Sequence, residues 1–260
     1  MKTALIWYTW FVWSNLLEQN KFDDLYNSQN IENIKWKEYD LIVCAWVKAV
    51  KWWANQNPEE DLQWINSLIE NLKEVKTKKF VLISTVDVYP NPIDVDESFN
   101  LDSLDENTHH AYGKNRIYLE NFIKNNFENH NIIRLPGLFW NNLKKNVIFD
   151  LLNNNQVEKI IPNCSFQYYY LGNIWRDIQT VIEWDIKEMN FNSEPLKTSE
   201  IISEFFWWIT TWANIEKPVI YDYKTKYYEI FWWRNQYMYT KNQVLEQLRS
   251  FISNYKKSWN

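Results

Sequence analysis

Three glycines in 260 residues is the constraint that any reading of this chain must satisfy. Glycine reaches left-handed backbone conformations cheaply and lets another backbone or a ligand approach closely. At the usual frequency of roughly 7 %, a chain of this length would hold about 18. The shortfall is close to the number of tryptophans, which is 17. The tryptophans also stand where glycine is expected. Residues 6–15 read Ile6-Trp7-Tyr8-Thr9-Trp10-Phe11-Val12-Trp13-Ser14-Asn15, a short apolar strand followed by tryptophan at every third position. With glycine at those positions the segment becomes G-Y-T-G-F-V-G-S-N. The pairs Trp52-Trp53, Trp207-Trp208 and Trp232-Trp233 would be costly to bury together. Some bacterial genetic codes read UGA as glycine and others read it as tryptophan. The pattern predicts that the coding sequence has been read with the wrong table: UGA at Trp7, Trp10 and Trp13, and true tryptophan codons at Trp52 and Trp175. Taken literally, the same residues describe an aromatic-rich interaction protein that binds no dinucleotide.

The bulk numbers narrow the field. A length of 260 suits one large domain or one domain with a small appendage. A net charge of −5 and a pI near 5.4 argue against nucleic acid and against an anionic membrane surface. Cys44 and Cys164 are too few for a disulfide framework and fit a reducing, cytoplasmic setting. Lys2 and the run over 4–13 imitate a signal peptide, but no small-residue cleavage site follows. No segment is long enough to span a membrane.

Hydrophobic patterning predicts alternating strands and helices. Strands are expected at 3–6, after 21–26, at 39–45 (YDLIVCA), at 79–84 (KFVLIS) and at 131–135 (NIIRL). The last three are continuous apolar runs, as in parallel strands buried on both faces. Helices are expected at 14–20, 58–73 and 110–127. In the second, Pro58 suits a first turn, Glu59, Glu60 and Asp61 suit its positive end, and Leu62, Ile65, Leu68, Ile69 and Leu72 share a face. Residues 88–108 read as a polar loop. The pattern implies an α/β fold: a Rossmann-type doubly wound parallel sheet, with ligands beyond the carboxyl ends of the strands. A G-x-x-G-x-x-G turn between the first strand and helix is where a pyrophosphate would lie. Beyond 140 the pattern loosens: helices at 147–152, 173–182, 198–206 and 240–253, and extended segments at 166–171 and 217–223. The division expected is a dinucleotide-binding core over 1–140 and a mixed segment over 141–260 that completes the sheet and forms a small C-terminal substrate lobe.

Four stretches carry a family resemblance: the turn Trp7–Trp13 as glycines, Asp40-Leu41-Ile42-Val43-Cys44-Ala45-Trp46, Leu82-Ile83-Ser84-Thr85-Val86-Asp87-Val88-Tyr89, and Ala111-Tyr112-Gly113-Lys114-Asn115-Arg116. Arg134-Leu135-Pro136-Gly137-Leu138-Phe139-Trp140 adds to them. In these segments the chain resembles the extended short-chain dehydrogenase/reductase family of NAD-dependent nucleotide-sugar epimerases, dehydratases and reductases, well over 1–185 and weakly beyond. The resemblance implies that Tyr112 is the catalytic base, that Thr85 with Ser84 beside it holds the sugar oxygen, and that Arg116 is the cation that lowers the phenol. It places Trp7, Trp10, Phe11, Val12, Trp13, Asn27, Ser28, Ala45, Trp46, Pro136 and Leu138 around the cofactor. NAD is the default; the neutral stretch Tyr26-Asn27-Ser28-Gln29-Asn30 leaves NADP open.

The chain departs from that family in two places. Arg116 stands where the family has lysine, and the two are not interchangeable at a tight site. Val86 and Asp87 stand where dehydratases carry an Asp-Glu pair, so Asp87 reads as structural or as a loop anchor. The expected activity is that of an NAD(P)-dependent epimerase or reductase acting on a sugar or nucleotide-sugar. The alternative is a nucleotide-binding protein of the same fold without redox chemistry, acting as a sensor or assembly partner. Lys144, Lys145, Arg176 and Arg234 are candidate diphosphate cations. His109-His110 have no third ligand nearby in sequence, and no metal is expected. The resemblance also implies a homodimer.

Overall fold

A computed structural model describes residues 1–7, 10–45, 50–104, 109–211, 217–231 and 235–257. The chain divides into two compact units. The first comprises Met1–Asn91, Phe99–Leu135 and Asn173–Met189; the second comprises Pro92–Ser98, Pro136–Gly172 and Asn190–Asn260.

The first unit is built on a six-stranded sheet. Its strands are β1 (Thr3–Trp7), β2 (Asp24–Tyr26), β3 (Glu38–Ala45), β4 (Lys76–Thr85), β5 (His130–Leu135) and β6 (Glu188–Asn190), in the order β6-β5-β4-β3-β1-β2. The pairings β1–β2, β1–β3, β3–β4 and β4–β5 are parallel. The helices are α1 (Trp10–Gln19), α2 (Lys51–Gln56), α3 (Pro58–Leu72), α4 (Ala111–Asn126) and α5 (Ile174–Glu183). This is the doubly wound α/β architecture expected from the buried apolar runs. β1 sits between β2 and β3, so the winding reverses at β1, and the crevice beyond Trp7 and Ala45, paired across β1 and β3, is the topological switch point.

Period-2 alternation decides what each face of the sheet buries. Ala4, Ile6, Ile42, Cys44, Phe80, Leu82 and Ile132 form one cluster with Ile65, Leu68 and Ile69 of α3 and Leu119 and Ile123 of α4. The intervening Leu5, Val43, Val81 and Ile133 are also buried, as are Leu16 of α1 and Ile174, Ile178 and Val181 of α5. Ala4 is small, and Tyr26 and Tyr39 on the flanking strands meet through their hydroxyls at 2.6 Å.

Three elements differ from the sequence expectation. α2 falls where no helix was expected, because K-W-W-A-N-Q carries no helical apolar stripe. β6 is three residues whose place is set by pairing with β5 rather than by propensity. The polar segment 88–108 is not all loop: Ile93–Val95 forms a strand paired with Asp222–Tyr223 of the second unit's own small sheet. The extended segment expected over 217–223 forms a bridge from Ile220 to Ser165 and a strand at Asp222–Tyr223.

In the second unit Gly137–Phe139 pairs with Tyr168–Tyr170, and Ser165–Phe166 pairs with Leu196–Lys197. Such short strands have few ladder bonds, and a buried amide supplements them. Gln167 Nε2 donates to the carbonyls of Ser193 and Tyr223 at 2.5 and 2.8 Å, and its Oε1 accepts from Tyr223 N at 2.6 Å. Helices Val147–Asn153, Thr198–Phe205 and Lys241–Lys257 complete the unit.

Candidate active site

The carboxyl ends of β1, β3 and β4 bring the candidate residues of the first unit to one edge of the sheet. Trp7 ends β1, and Trp10, Phe11, Val12 and Trp13 form the first turn of α1. The Trp7 and Trp13 rings stack with centroids 4.5 Å apart. Two indoles therefore stack beside the start of α1, and Tyr8 and Thr9 between them lie outside the described residues. Ala45 is buried at the end of β3, and Trp46 lies outside the described residues. At the end of β2, Asn27 Oδ1 accepts from Gln29 N at 2.8 Å in an Asx turn, and Ser28 is exposed. Pro136 and Leu138 belong to the second unit, where Leu138 pairs with Tyr169.

Thr85, Tyr112 and Arg116 come together. Tyr112 lies in the first turn of α4, where its phenol feels the Arg116 and Asp87 charges and the Thr85 side chain. The Arg116 guanidinium lies 4.3 Å from the centre of the Tyr112 ring. Burial pushes the Tyr112 phenol above its ordinary value; the Arg116 charge opposes this and the Asp87 charge reinforces it. Ser84 stands apart, because neighbouring strand residues face opposite sides. Its hydroxyl donates to Glu120 at 2.5 Å, within a buried network in which Arg134 pairs with Glu120 at 2.6 Å and donates to the Tyr89 hydroxyl at 2.9 Å.

Arg116 has a partner that the sequence did not reveal. Its Nη1 and Nη2 donate to the two carboxylate oxygens of Asp61 at 2.8 and 3.0 Å, and both side chains are almost fully buried. Asn115 Nδ2 adds a bond to Asp61 at 2.8 Å and one to the Pro58 carbonyl at 3.1 Å. Asp61 occupies the first turn of α3, so this bidentate pair staples the start of α3 to α4. The guanidinium charge beside Tyr112 is thus matched by a buried carboxylate.

A second ion pair borders the group. Lys51, at the start of α2, donates to Asp87 at 2.6 Å. Asp87 follows Thr85 in the turn that leaves β4, its N–H donates to Thr85 Oγ1 at 3.2 Å, and Thr85 Oγ1 reaches Asp87 Oδ2 at 3.5 Å. His110 caps α4 by accepting from Gly113 N at 2.9 Å. His109 packs against Gly113, where a Cβ would lie 1.8 Å from its Nε2, so only glycine fits that position. Burial, then the charges of His110 and Lys51, lower His109 to about 4; burial also lowers His110. Of the candidate diphosphate cations, Lys144 and Lys145 are in the second unit, Arg176 forms an ion pair with Asp177 in α5, and Arg234 is outside the described residues.

Fold and site together define a Rossmann-type α/β protein with a tyrosine–threonine pair at the carboxyl edge of its sheet. No family model matches the chain, and no curated protein matches it in sequence. Solved structures do match. A UDP-glucose 4-epimerase from Thermotoga maritima, solved with UDP-glucose, has a TM-score of 0.73 at 13 % identity, covering 99 % of this chain and 100 % of that one. MoeE5 in complex with UDP-glucose and NAD has a TM-score of 0.74 at 13 % identity, covering 100 % of both. A dTDP-4-dehydrorhamnose reductase from Bacillus anthracis in complex with NADP has a TM-score of 0.72 at 14 % identity, covering 98 % of this chain and 100 % of that one. At these identities the likeness establishes the fold.

Proposed function

We propose that the chain is an NAD(P)-dependent oxidoreductase or epimerase of the extended short-chain dehydrogenase type, acting on a sugar or nucleotide-sugar. The observation that carries this reading is the placement of Thr85, at the end of β4, and Tyr112, in the first turn of α4 with Arg116 over its ring, at the carboxyl edge of a doubly wound sheet. Structures of the same fold that hold UDP-glucose, NAD or NADP support it. In this reading Tyr112 takes the proton of the reacting sugar hydroxyl, and Thr85 holds that oxygen in line. The second unit serves as the substrate lobe.

The reading requires glycine at positions 7, 10 and 13, since a pyrophosphate approaches the backbone of such a turn where no side chain stands in the way. Independent observations favour glycine. Tryptophan is strongly buried on average, yet among the described residues no tryptophan belongs to the buried core, which holds many Phe and Tyr. Trp36, Trp184, Trp207 and Trp208 are exposed, and so is Trp52, the position expected to carry a true tryptophan codon. Trp36 has φ 65°, a left-handed conformation that bulky residues avoid. Trp175, by contrast, packs edge-on against Phe22. With glycine in the turn, bound NAD(P) would supply the hydride acceptor.

Two steps test this reading. The coding DNA is read at positions 7, 10, 13 and 175, with UGA expected at the first three and UGG at the last. The protein with glycine at 7, 10 and 13 is then titrated with NAD and NADP and assayed with UDP- and dTDP-sugars. UGG throughout, or no cofactor binding by the glycine form, would sink the proposal. The Asp61–Arg116 pair favours a second reading, a nucleotide-binding protein without turnover, because the cation expected to serve Tyr112 is shared with a buried carboxylate. Cofactor binding with no redox change across the sugar panel would select it.

A further inference from the structure

The segment Ser84–Tyr89 carries Thr85 and Asp87 from the end of β4 into the candidate site. Both of its ends are tied to one buried ion pair. At the first end, the Ser84 hydroxyl donates to Glu120 Oε1 at 2.5 Å. At the last, the Tyr89 hydroxyl accepts from Arg134 Nη1 at 2.9 Å. Arg134 and Glu120 hold each other through Nε to Oε1 at 3.1 Å and Nη2 to Oε2 at 2.6 Å, and neither side chain is more than 1 % exposed. Farther out, Glu188 contacts Arg134 Nη2 and pairs with Lys124 at 2.6 Å, so the charges alternate toward the surface. A pair buried this deeply is costly to desolvate, and apolar side chains of the same volume often stabilise as well.

The places of the two charged residues say what the pair holds. Glu120 lies about two turns beyond Tyr112 on the same helix, α4. Arg134 lies on β5 directly across from Ser84. Near Tyr112 itself, α4 meets the segment closely: a Cβ on Gly113 would stand 2.6 Å from the Asp87 carbonyl oxygen. The pair therefore ties the helix that carries Tyr112 to the turn that carries Thr85. Ser84 and Thr85 face opposite sides of the strand, so the Ser84 hydroxyl is engaged in the anchor and not toward a substrate.

We propose that Glu120 and Arg134 are positioning residues, which hold Thr85 and Tyr112 at a fixed spacing through Ser84 and Tyr89. The proposal rests on the reading that Thr85 and Tyr112 act on the sugar oxygen. A misplacement of about 1 Å between reacting groups costs roughly 100-fold in rate. A rigid strut behind both groups gives the buried ion pair a use that an apolar replacement would not serve.

Ser84→Ala and Tyr89→Phe each remove one hydroxyl and leave the ion pair in place, and the edge-on packing of Tyr89 with Phe99 needs only the ring. Amide exchange in the full chain reads the turn without cofactor or substrate. The Asp87 N–H donates to Thr85 Oγ1 and the Tyr89 N–H to the Val86 carbonyl. The double variant Ser84→Ala/Tyr89→Phe is expected to speed exchange of both by about tenfold or more, with the amides of β3 unchanged. Unchanged exchange at Asp87 and Tyr89 overturns the anchor. Equal acceleration in β3 does so too, because the hydroxyls would then support only the fold. In the form with glycine at 7, 10 and 13, the double variant should lower kcat by about 10- to 100-fold, with NAD(P) affinity and sugar KM within about threefold. An unchanged kcat overturns the positioning role, and so does a loss confined to KM, which would make Ser84 a substrate contact. Failure of the functional reading would appear separately, as absent NAD(P) binding by the glycine form that keeps Ser84 and Tyr89, and amide exchange would still decide whether the pair anchors the turn.

Discussion

At the residue scale, partners decide what a charge does. The Arg116 guanidinium touches the Tyr112 ring, yet its field there is offset by a carboxylate at 2.8 Å. Removing one member of such a buried pair strands the other. Asp61→Asn is expected to cost about 3–5 kcal/mol. The double variant Asp61→Leu/Arg116→Met should recover much of that loss, because apolar replacement of a whole buried pair is often near neutral. Urea unfolding of the two variants checks this, and equal destabilisation would count against the pair's burial. The two histidines give a pH signature. Both are held neutral in the folded state, His109 down to about 4, so protonation favours the unfolded chain. Their contribution is present above the unfolded value of about 6.5 and is lost as pH falls toward about 4. Melting temperature should therefore fall over that window, and fall less in His109→Gln. Asp61 was visible in the sequence only as an acid at a helix start, a role it also fills. Its pairing with Arg116 depends on how α3 packs on α4, which no local pattern encodes.

At the element scale, legibility followed the strength of the period. β3, β4 and β5 were evident as apolar runs, and α3 as a helical stripe with acids at its start. Leu68 of that stripe is fully buried, and Leu68→Ala is expected to cost about 2–5 kcal/mol by denaturant unfolding. α2 and β6 were illegible for opposite reasons: the first has no apolar stripe, and the second is too short to show one. The start of α4 shows how a cap can hide in an unusual residue. His110 does the work usually given to Ser, Thr, Asp or Asn, and the adjacent His109 drew attention to metal chemistry instead. His110→Ser should keep the cap and remove its titration, whereas His110→Ala should lose about 1 kcal/mol. Thermal melts at pH 7 and pH 5 separate the two. The candidate site was half legible. Thr85 and Tyr112 follow from the motif, but Lys51 follows from nothing in the sequence except its place after a strand end.

At the scale of the whole molecule, the tryptophans are the anomaly that the fold itself exposes. A folded chain spends large aromatic side chains on its core, and here that core is built from Phe, Tyr, Leu, Ile and Val while the described tryptophans stay outside it. Trp207 at 77 % and Trp36 at 78 % exposure would offer apolar surface for self-association. If these positions are glycine in the cell, restoring glycine must improve the molecule in two separate ways. Trp36→Gly should stabilise by about 1 kcal/mol, because a left-handed residue with a side chain carries a backbone penalty of that order. Trp7→Gly, Trp10→Gly and Trp13→Gly together should leave stability nearly unchanged or lower it slightly, since stacked rings are lost, while raising dinucleotide affinity above that of the tryptophan form. The two effects are read independently, one by urea unfolding and the other by quenching of protein fluorescence on titration with NADH. A Trp36→Gly variant less stable than its parent would mean that the indole at that position makes contacts worth more than its backbone strain, and the case for glycine across the chain would fall with it.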